Sequence, residues 1–331
     1  MKKIGRIASL GLVLSATAFA AVPAQAKYPD HPINFIVPWG PGGGADLLAR
    51  TAGKIMSKDL GTAVPVINVP GATGQVGMTK LLTSPADGYS LAVLIGDTYA
   101  LLAGPHPSFT MKQVIPLAIM IQQPSGYWVS TKSPWKTWNE LAKTAKNRAL
   151  KVATLGFGSA DDITTSYLDT KGFKFQVIPY SKPGLRYTSI LGGNADVLYE
   201  QTGDVRSYFD AKQIRPLLFF YPHPVNIPIF SKVPVSAQLG YNVTLPQFRA
   251  IVIKAGTDPA RVKMLAAAVA KVAKTSEFKA YLKQQYADPN SYIPASGARQ
   301  FMASWLQQAK ATMARTKKSS TATPSATPAK K

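Results

Sequence analysis

The sequence predicts an α/β protein. Short apolar runs recur along most of the chain, and segments with helical spacing of their apolar residues separate them. Most of the runs are almost continuously apolar, which is typical of strands covered on both faces and therefore of mostly parallel sheets. Beyond residue 258 the strand-like runs stop, and three helical segments follow one another. The chain has 331 residues, enough for one large domain or two ordinary ones.

The individual elements follow from these patterns. Strands are predicted at residues 33–38, 65–69, 90–95, 116–121, 127–130, 151–156, 175–180, 196–200, 215–221 and 248–254. Helices are predicted at residues 45–60, 138–145, 162–170, 204–211, 258–274, 276–285 and 296–314. Ten strands are many for one open sheet, so we expect two sheets.

Two breaks in the pattern indicate where the chain passes between the sheets. They lie at residues 122–126 and 241–246, where Pro, Gly and polar residues interrupt the apolar runs. The prediction is therefore a lobe 1 of residues 27–123 and 247–314 and a lobe 2 of residues 124–246. The chain would cross twice between the lobes and leave a cleft between them.

Residues 1–26 have the features of a secretory signal peptide. Lys2, Lys3 and Arg6 form a basic start, an apolar stretch follows, and Ala24-Gln25-Ala26 is an A-x-A cleavage motif. A membrane anchor is the alternative, but the apolar stretch is too short for it. We expect cleavage after Ala26 and export to the periplasm. The chain contains no cysteine, which excludes disulfides and cysteine metal sites.

The chain is strongly basic, with a formal net charge of +22. A basic excess can indicate a nucleic-acid partner, but export and the lack of an aromatic-basic recognition motif argue against one. The simpler interpretation is a basic face that favours anionic solutes. Residues 315–331 are predicted to be a disordered basic tail, because their Ser, Thr, Pro and Ala cannot build a core.

A glycine-rich loop, Gly40-Pro41-Gly42-Gly43-Gly44-Ala45, joins the first strand to the first helix. It resembles a degraded G-x-G-x-x-A dinucleotide fingerprint, but the next strand ends in Asn68-Val69-Pro70 without the acid that would hold a ribose. A Walker motif fails because no Gly-Lys-Ser/Thr follows. What remains is a helix N-terminus with unpaired N–H groups, with Asp46 as a cap or a first-turn acid. Such an end binds phosphate or carboxylate; the alternative is a tight turn with water on these groups.

A second glycine-rich segment, N-V-P-G-A-T-G-Q-V-G-M-T-K-L-L, also leads from a strand into a helix. Gly71, Gly74 and Gly77 recur at every third position. Two such turns at one end of a sheet would direct two sets of N–H donors toward one point. The alternative is a helix start selected for close packing.

Three stretches resemble the Bug family of extracytoplasmic solute receptors of tripartite tricarboxylate transporters. They are YPDHPINFIVPWGPGGGADLLAR, VINVPGATGQVGMTKLLTSPADGYSLAVLIGDT and VIPYSKPGLRYTSILGGNADVLYE. The resemblance runs from Tyr28 to about Gln285. It implies a type II periplasmic-binding-protein fold, in which two α/β lobes joined by two crossover strands close on a small organic anion, usually a carboxylate.

The resemblance also implies a ligand-binding set. One carboxylate of the ligand is expected between the two glycine loops, partly through ordered waters. Carried over by position, the expected ligand-binding residues are Trp39, Pro41, Gly42, Gly43, Gly44, Ala45, Asp46, Gly71, Ala72, Gly74, Asp97, Thr98, Tyr99, Ser159, Ala160, Asp161, Tyr180, Arg186 and Glu200.

The distal wall of the cleft is where this chain departs from the family. Its expected members are four acids and one cation: Asp97, Asp161, Asp162, Glu200 and Arg186. Helix capping is the alternative role for the two neighbouring aspartates. Trp39, Tyr99 and Tyr180 are expected to stack on the body of the ligand. A carboxylate with a polar or cationic far end, such as an amino acid or an aromatic pyridine carboxylate, therefore ranks level with a plain dicarboxylate.

The predicted function is a monomeric receptor that delivers its solute to membrane permease subunits without chemistry, cofactor, metal or nucleic acid. His31, His106 and His223 lie beside prolines, and no acid or serine at a catalytic spacing recruits them. No H-x-x-x-H or carboxylate cluster suggests a metal. Two alternatives stay open: the receptor of an ATP-driven transporter, and a sensing subunit that signals to a membrane kinase.

Overall fold

The computed structural model describes residues 28–321; the predicted signal peptide and residues 322–331 of the predicted tail lie outside this range. The strands are β1 (Asn34–Val37), β2 (Val66–Asn68), β3 (Ser90–Ile95), β4 (Val114–Gln123), β5 (Ser125–Ser130), β6 (Leu150–Thr154), β7 (Phe175–Pro179), β8 (Val197–Gln201), β9 (Ile214–Phe219), β10 (Gln247–Lys254) and β11 (Ile293–Pro294). The helices are α1 (Gly44–Leu60), α2 (Gln75–Thr83), α3 (Gly96–Ala100), α4 (Trp138–Asn147), α5 (Ala160–Asp169), α6 (Pro183–Thr188), α7 (Arg206–Asp210), α8 (Pro259–Lys274), α9 (Ser276–Gln284) and α10 (Ala295–Thr321).

The strands form two sheets. One has six strands in the order β11-β4-β10-β3-β1-β2, and the other has five in the order β7-β6-β8-β5-β9. We call residues 28–123 and 247–321, which carry the first sheet, lobe 1, and residues 124–246, which carry the second, lobe 2. The chain leaves lobe 1 between β4 and β5, across Pro124, and returns immediately before β10.

Both sheets are mixed, so the prediction of mostly parallel sheets is wrong. β1 pairs in parallel with β2 and β3, and β6 pairs in parallel with β7 and β8. β10 runs antiparallel to β3 and β4, and β5 runs antiparallel to β8 and β9. The cause is the double crossing: β5 and β10 begin at the boundary between the lobes and run away from it, whereas their neighbours run toward it.

Local sequence accounts for several helix starts. Thr137 and Glu140 form a capping box at α4, and Asp258 caps α8 with Pro259 in the first turn. α1 differs, because its N-cap is Gly43, which has no side chain to satisfy the first N–H groups. The first turn of α1 is therefore available to a carboxylate from elsewhere.

Helix α10 continues past the predicted start of the tail. It runs to Thr321, so residues 315–321 are helical rather than disordered as predicted. The guanidinium of Arg315 donates to the backbone oxygen of Asn242 in lobe 2, at 2.7 Å. The physical reason is that neither proline nor glycine interrupts the chain after Gly297 until Pro324.

The apolar core crosses the boundary between the lobes, and the contact between α5 and α10 is one such place. Ala160 and Ile163 of α5, in lobe 2, belong to the same buried cluster as Met302 and Trp305 of α10, in lobe 1. The indole N–H of Trp305 also donates to the backbone oxygen of Pro246 at 2.9 Å. Within residues 28–321, no helix combines the length and the apolar content that crossing a membrane requires.

Candidate functional site

The glycine loop before α1 is organised by an acid of its own first turn. The carboxylate of Asp46 accepts hydrogen bonds from the N–H of Gly42 at 3.0 Å, from Arg50 at 2.9 Å and from the amide of Asn68 at 3.0 Å. Burial alone would raise the pKa of Asp46, but these hydrogen bonds lower it overall. Asp46 thus fixes the loop. Pro41 and Gly42 lie on the exposed side of the loop.

A carboxylate of lobe 2 lies at the N-terminus of α1. The N–H of Gly44 donates to Oδ2 of Asp204 at 3.3 Å, and Oδ1 of Asp204 is 2.6 Å from Nη2 of Arg249. Arg249 also donates through Nη1 to the side chain of Gln123 at 2.6 Å. Asp204 and Arg249 are both buried, with 6% and 2% of their side chains exposed. The anion position that the sequence predicts is therefore occupied by the protein itself.

Sequence reasoning missed Asp204, Arg249 and Gln123. Arg249 had a visible signal, because it is the only charged residue in the apolar run F-R-A-I-V-I. A lone charge in a buried strand requires a partner, and a strand that begins at the cleft places that partner near the cleft. Asp204 had no such signal, since it lies in a turn after β8 and 45 positions from Arg249.

The second glycine loop has an unusual backbone. Ala72 and Thr73 have φ values of 46° and 54°, between Gly71 at 144° and Gly74 at 88°. Left-handed non-glycine residues of this kind cost of order 1–3 kcal/mol each and are concentrated at functional sites. A Cβ placed on Gly74 would overlap the hydroxyl of Thr98, so the loop lies directly on the start of α3.

The predicted acids Asp97 and Asp161 meet across the cleft. Asp97 accepts hydrogen bonds from the N–H of Ala160, at 3.1 Å, and from the side chain of Gln247. Asp161 accepts from the N–H of Leu155 at 3.1 Å, and its Oδ1 is buried without a partner among the described residues. Burial raises the pKa of both carboxyls, and the charge of Asp97 raises that of Asp161 further.

Two further predicted residues, Ser159 and Asp162, lie at the start of α5 and make local hydrogen bonds there. Ser159 is the N-cap and accepts from the N–H of Asp162, while Asp162 accepts from the N–H of Gly158 at 2.7 Å. Asp161 and Asp162 thus both accept from backbone N–H groups of the loop before the helix, and the cap itself is Ser159.

Glu200 does not face the cleft with a free carboxylate, so this part of the expected wall is wrong. Arg186 contacts Oε2 of Glu200 through Nε at 2.8 Å and Nη2 at 2.7 Å, and the N–H of Gln201 donates to Oε1 at 3.1 Å. Burial raises the pKa of Glu200 to about 7, although Arg186 opposes this shift. The only predicted cation of the wall is therefore already paired.

The stacking prediction is wrong for Tyr99, whereas for Tyr180 it stays a prediction. Tyr99 is buried between Phe248 and Trp305, because α3 turns it toward β10 and α10. Tyr180 is partly exposed and packs on the core of lobe 2, while its backbone oxygen accepts from Arg186 at 3.1 Å. Trp39 does lie at the cleft, and its indole N–H is buried without a partner among the described residues.

The two lobes are closed on each other. A Cβ placed on Gly43 would lie 3.2 Å from Cγ of Pro183, and one placed on Gly156 would lie 2.8 Å from Oγ1 of Thr73. A cavity of about 20 Å³ remains beside the loop, which is room for about one water molecule. It is lined by Trp39, Gly43, Gly44, Ala45, Ile95, Leu155, Pro183, Arg186, Tyr187, Gln201, Asp204 and Arg249.

Buried polar atoms without partners are concentrated around this cavity. Among the described residues they include Nε1 of Trp39, the hydroxyl of Tyr187, Nε2 of Gln201 and Nε of Arg249. Buried donors are almost always paired in folded proteins, so this concentration marks a place where a polar ligand or ordered water completes the structure. A larger cavity of about 600 Å³, between residues 226–229 and α9, shares no lining residue with it and is mostly apolar.

The comparisons with known proteins agree with this geometry. Residues 48–317 match the family model described as "Tripartite tricarboxylate transporter family receptor". The chain belongs to this receptor family. Family receptors bind solutes for a membrane transporter, as the resemblance of the three stretches predicted.

One relative and two solved structures are similar to this chain. The chain is 28% identical over 269 residues to protein BugT of Bordetella pertussis, covering 78% of this chain and 81% of BugT. The structure of the periplasmic binding protein BugD has a TM-score of 0.79 at 22% identity, covering 88% of this chain and 99% of BugD. MatC from Rhodopseudomonas palustris with bound malate has a TM-score of 0.76 at 21% identity, covering 85% of this chain and 100% of MatC. The two-lobed binding-protein fold is thereby confirmed.

Proposed function

We infer that this receptor captures a small organic carboxylate in the cleft and carries it, without chemistry, to the permease subunits of a tripartite tricarboxylate transporter. One observation carries the proposal. At the α1 N-terminus, a backbone N–H and a buried guanidinium converge on a single carboxylate, that of Asp204. This is the donor set that a carboxylate solute requires.

The energetics are consistent with useful affinity. Hydrogen bonds to a charged acceptor contribute about 1.5–3 kcal/mol each. Four of them at the upper value, about 12 kcal/mol together, less an association cost of about 4 kcal/mol, leave about 8 kcal/mol, which corresponds to a dissociation constant near micromolar. The unpaired donors of Trp39 and Gln201 lie close enough to the same cavity to add to this set.

The cleft must open to admit a solute. The cavity of about 20 Å³ is far below the 300 Å³ or more of ordinary ligand sites. Capture therefore couples to movement of lobe 2 against lobe 1, and the closed form with solute is the signal that the permease reads.

The class of solute follows from the charges that remain. Arg186 and Glu200 are paired with each other, and Asp97 and Asp161 meet beside them, with Oδ1 of Asp161 buried without a partner among the described residues. A hydroxyl, an ammonium group or a protonated carboxyl suits two neighbouring carboxyls better than a second free carboxylate does. Malate, which is bound in MatC, offers a hydroxyl beside its carboxylates, and a simple amino acid offers an ammonium group.

The site of action follows from the family and from the N-terminal sequence. We propose a monomer in the periplasm that begins at Lys27, after cleavage at Ala24-Gln25-Ala26. N-terminal sequencing of periplasmic material tests this; retention of residues 1–26 on the membrane contradicts it.

A thermal-shift screen of organic acids against the purified mature chain tests the function. A solute that binds only the folded protein raises Tm by mass action, and titration calorimetry then gives its dissociation constant. Mass balance on the recovered solute shows whether it is unchanged. No shift with any mono- or dicarboxylate or amino acid would contradict the proposal.

A further inference from the structure

Asp204 is an acid of lobe 2 whose charged partner belongs to lobe 1. It stands in the turn between β8 and α7, and it contacts the N–H of Gly44 at 3.3 Å and Arg249 at 2.6 Å. Its carboxylate therefore bridges the cleft. Arg249 is held in turn by Gln123 at 2.6 Å, so the guanidinium is fixed in place on lobe 1.

These contacts reproduce the chemistry of a bound solute. A helix N-terminus and a guanidinium are the groups that recognise a free carboxylate, and here they hold one that is part of the chain. The packing at this position is also tight. A Cβ on Gly44 would overlap both Asp204 and Arg249, so there is no room for a further group beside them.

A second carboxylate cannot be added to this arrangement. Two carboxylates on one buried guanidinium would repel each other and leave one negative charge uncompensated. The neighbouring residues do not compensate this charge. Arg186 is already paired with Glu200, and the next acids, Asp97 and Asp161, face each other. A solute carboxylate enters only if Asp204 leaves.

We propose that Asp204 is an internal competitor: its carboxylate holds the lobes closed through Gly44 and Arg249, and the solute's carboxylate displaces it. Opening of the lobes withdraws Asp204 and exposes both partners on lobe 1 together. The solute then exchanges one carboxylate for another, which conserves the charge of the cleft. This inference rests on the proposed function, because it assumes that the cleft binds a carboxylate.

The first test measures affinity with malate as the probe. In the mature protein, Asp204→Asn keeps the shape of the side chain and removes its charge, and Asp204→Ser also removes its reach. Both should bind malate at least tenfold more tightly than the natural protein in titration calorimetry, because the competitor is gone. Asp59→Asn is the matched control, since Asp59 pairs with Lys271 on the outside of lobe 1. Equal dissociation constants in all four proteins would overturn the proposal.

The second test measures closure without any solute. The chain has no cysteine, so Lys58→Cys in lobe 1 and Lys143→Cys in lobe 2, both exposed, accept spin labels selectively. Double electron–electron resonance between the two labels should give one narrow distance distribution in the otherwise natural chain. With Asp204→Asn, the distribution of distances should be broader and shifted to longer distances. Unchanged distributions would overturn the proposal even if affinity changes.

The two tests separate this inference from the proposed function. If neither malate nor any other organic acid binds the natural protein or the Asp204 variants, the proposed function fails, and the displacement step fails with it. If acids bind but the Asp204 variants match the natural protein, only the role of Asp204 is wrong.

Discussion

The carboxylate of Asp97 in lobe 1 accepts a hydrogen bond from the N–H of Ala160 in lobe 2, at 3.1 Å. Ala160 is the first residue of α5, so this carboxylate lies at a helix N-terminus of the opposite lobe. Asp204 has the converse position, at the start of α1. Each lobe thus supplies a carboxylate to a helix end of the other.

Asp161→Asn should weaken the pH dependence of stability. Burial and the charges of Asp97 and Glu200 raise the pKa of Asp161. A raised carboxyl pKa stabilises the fold below the ordinary value of about 4, and this contribution is lost as the pH rises through the raised value. Glu200, with its pKa raised to about 7, acts in the same direction. At pH 8 the variant should therefore be more stable than the natural protein, and the difference should shrink toward pH 5.

Thermal unfolding from pH 5 to pH 8 checks this prediction. Tm of the natural protein should fall more steeply with pH than Tm of Asp161→Asn, while Asp59→Asn should follow the natural protein. Parallel plots of Tm against pH for all three proteins would show that folding does not raise the pKa of Asp161.

Gly44→Ala should abolish high-affinity solute binding. The added methyl group would overlap Arg249 and occupy the position of the Asp204 carboxylate, which is also the position proposed for the solute's carboxylate, although alanine is otherwise better than glycine within a helix. We expect at least a hundredfold weaker binding of the solute found by the screen, about 2.7 kcal/mol, in titration calorimetry. Gly184→Ala is the control, because a methyl group added at this position of α6 would have no atom within 4 Å. Similar losses of affinity in both variants would show that the overlap at Gly44 is not what weakens solute binding.

Glu200→Gln should destabilise the fold rather than select among solutes. It leaves Arg186, with 2% of its side chain exposed, as an uncompensated buried cation. Breaking a buried pair in this way costs about 3–5 kcal/mol, which urea unfolding at pH 8 measures. Glu277→Gln removes one partner of the exposed pair with Lys54 and should leave the urea midpoint unchanged. A midpoint for Glu200→Gln equal to that of the natural protein would show that Arg186 gains solvent or another partner.

Truncation after Arg315 should leave solute affinity within about twofold, a difference below about 0.5 kcal/mol. The truncated chain keeps the Arg315 contact with Asn242, and of the residues that the structure describes it loses 316–321, at the end of α10. Calorimetry on the two lengths of chain checks this. A tenfold loss would place the removed residues in contact with the cleft or the body.

The sequence predicts the ends of a strand well where turn-forming residues flank its apolar run. The apolar run of β3 is bounded by Asp87-Gly88-Tyr89 before it and by Gly96 after it, and its predicted limits agree with the structure. β11 has two residues and leaves no periodic signal, and α6 begins with Pro183-Gly184, which is more typical of a turn. The antiparallel entry of β5 and β10 depends on the order of strands, which no local pattern contains.

In the site, too, features that lie within one stretch of sequence could be predicted, and contacts between distant residues could not. The glycine loop and its helix N-terminus are local, and the structure places both at the cleft. The pairing of Glu200 with Arg186 and of Asp204 with Arg249 joins residues 14 and 45 positions apart. A list of charges near a cleft does not say which are neutralised by each other, and that pairing decides what charge a solute meets.

The contact between α5 and α10 gives closure an energy source that does not depend on the solute. Ile163 and Trp305 share one buried cluster, although they belong to different lobes. Separating such surfaces exposes apolar area to water, which costs about 25 cal/mol per Å² and increases the heat capacity. To the extent that this contact loosens when the receptor opens, capture should show a negative heat-capacity change that is similar for acids of different shape. Affinity among those acids would then differ mainly through the polar contacts at the cleft.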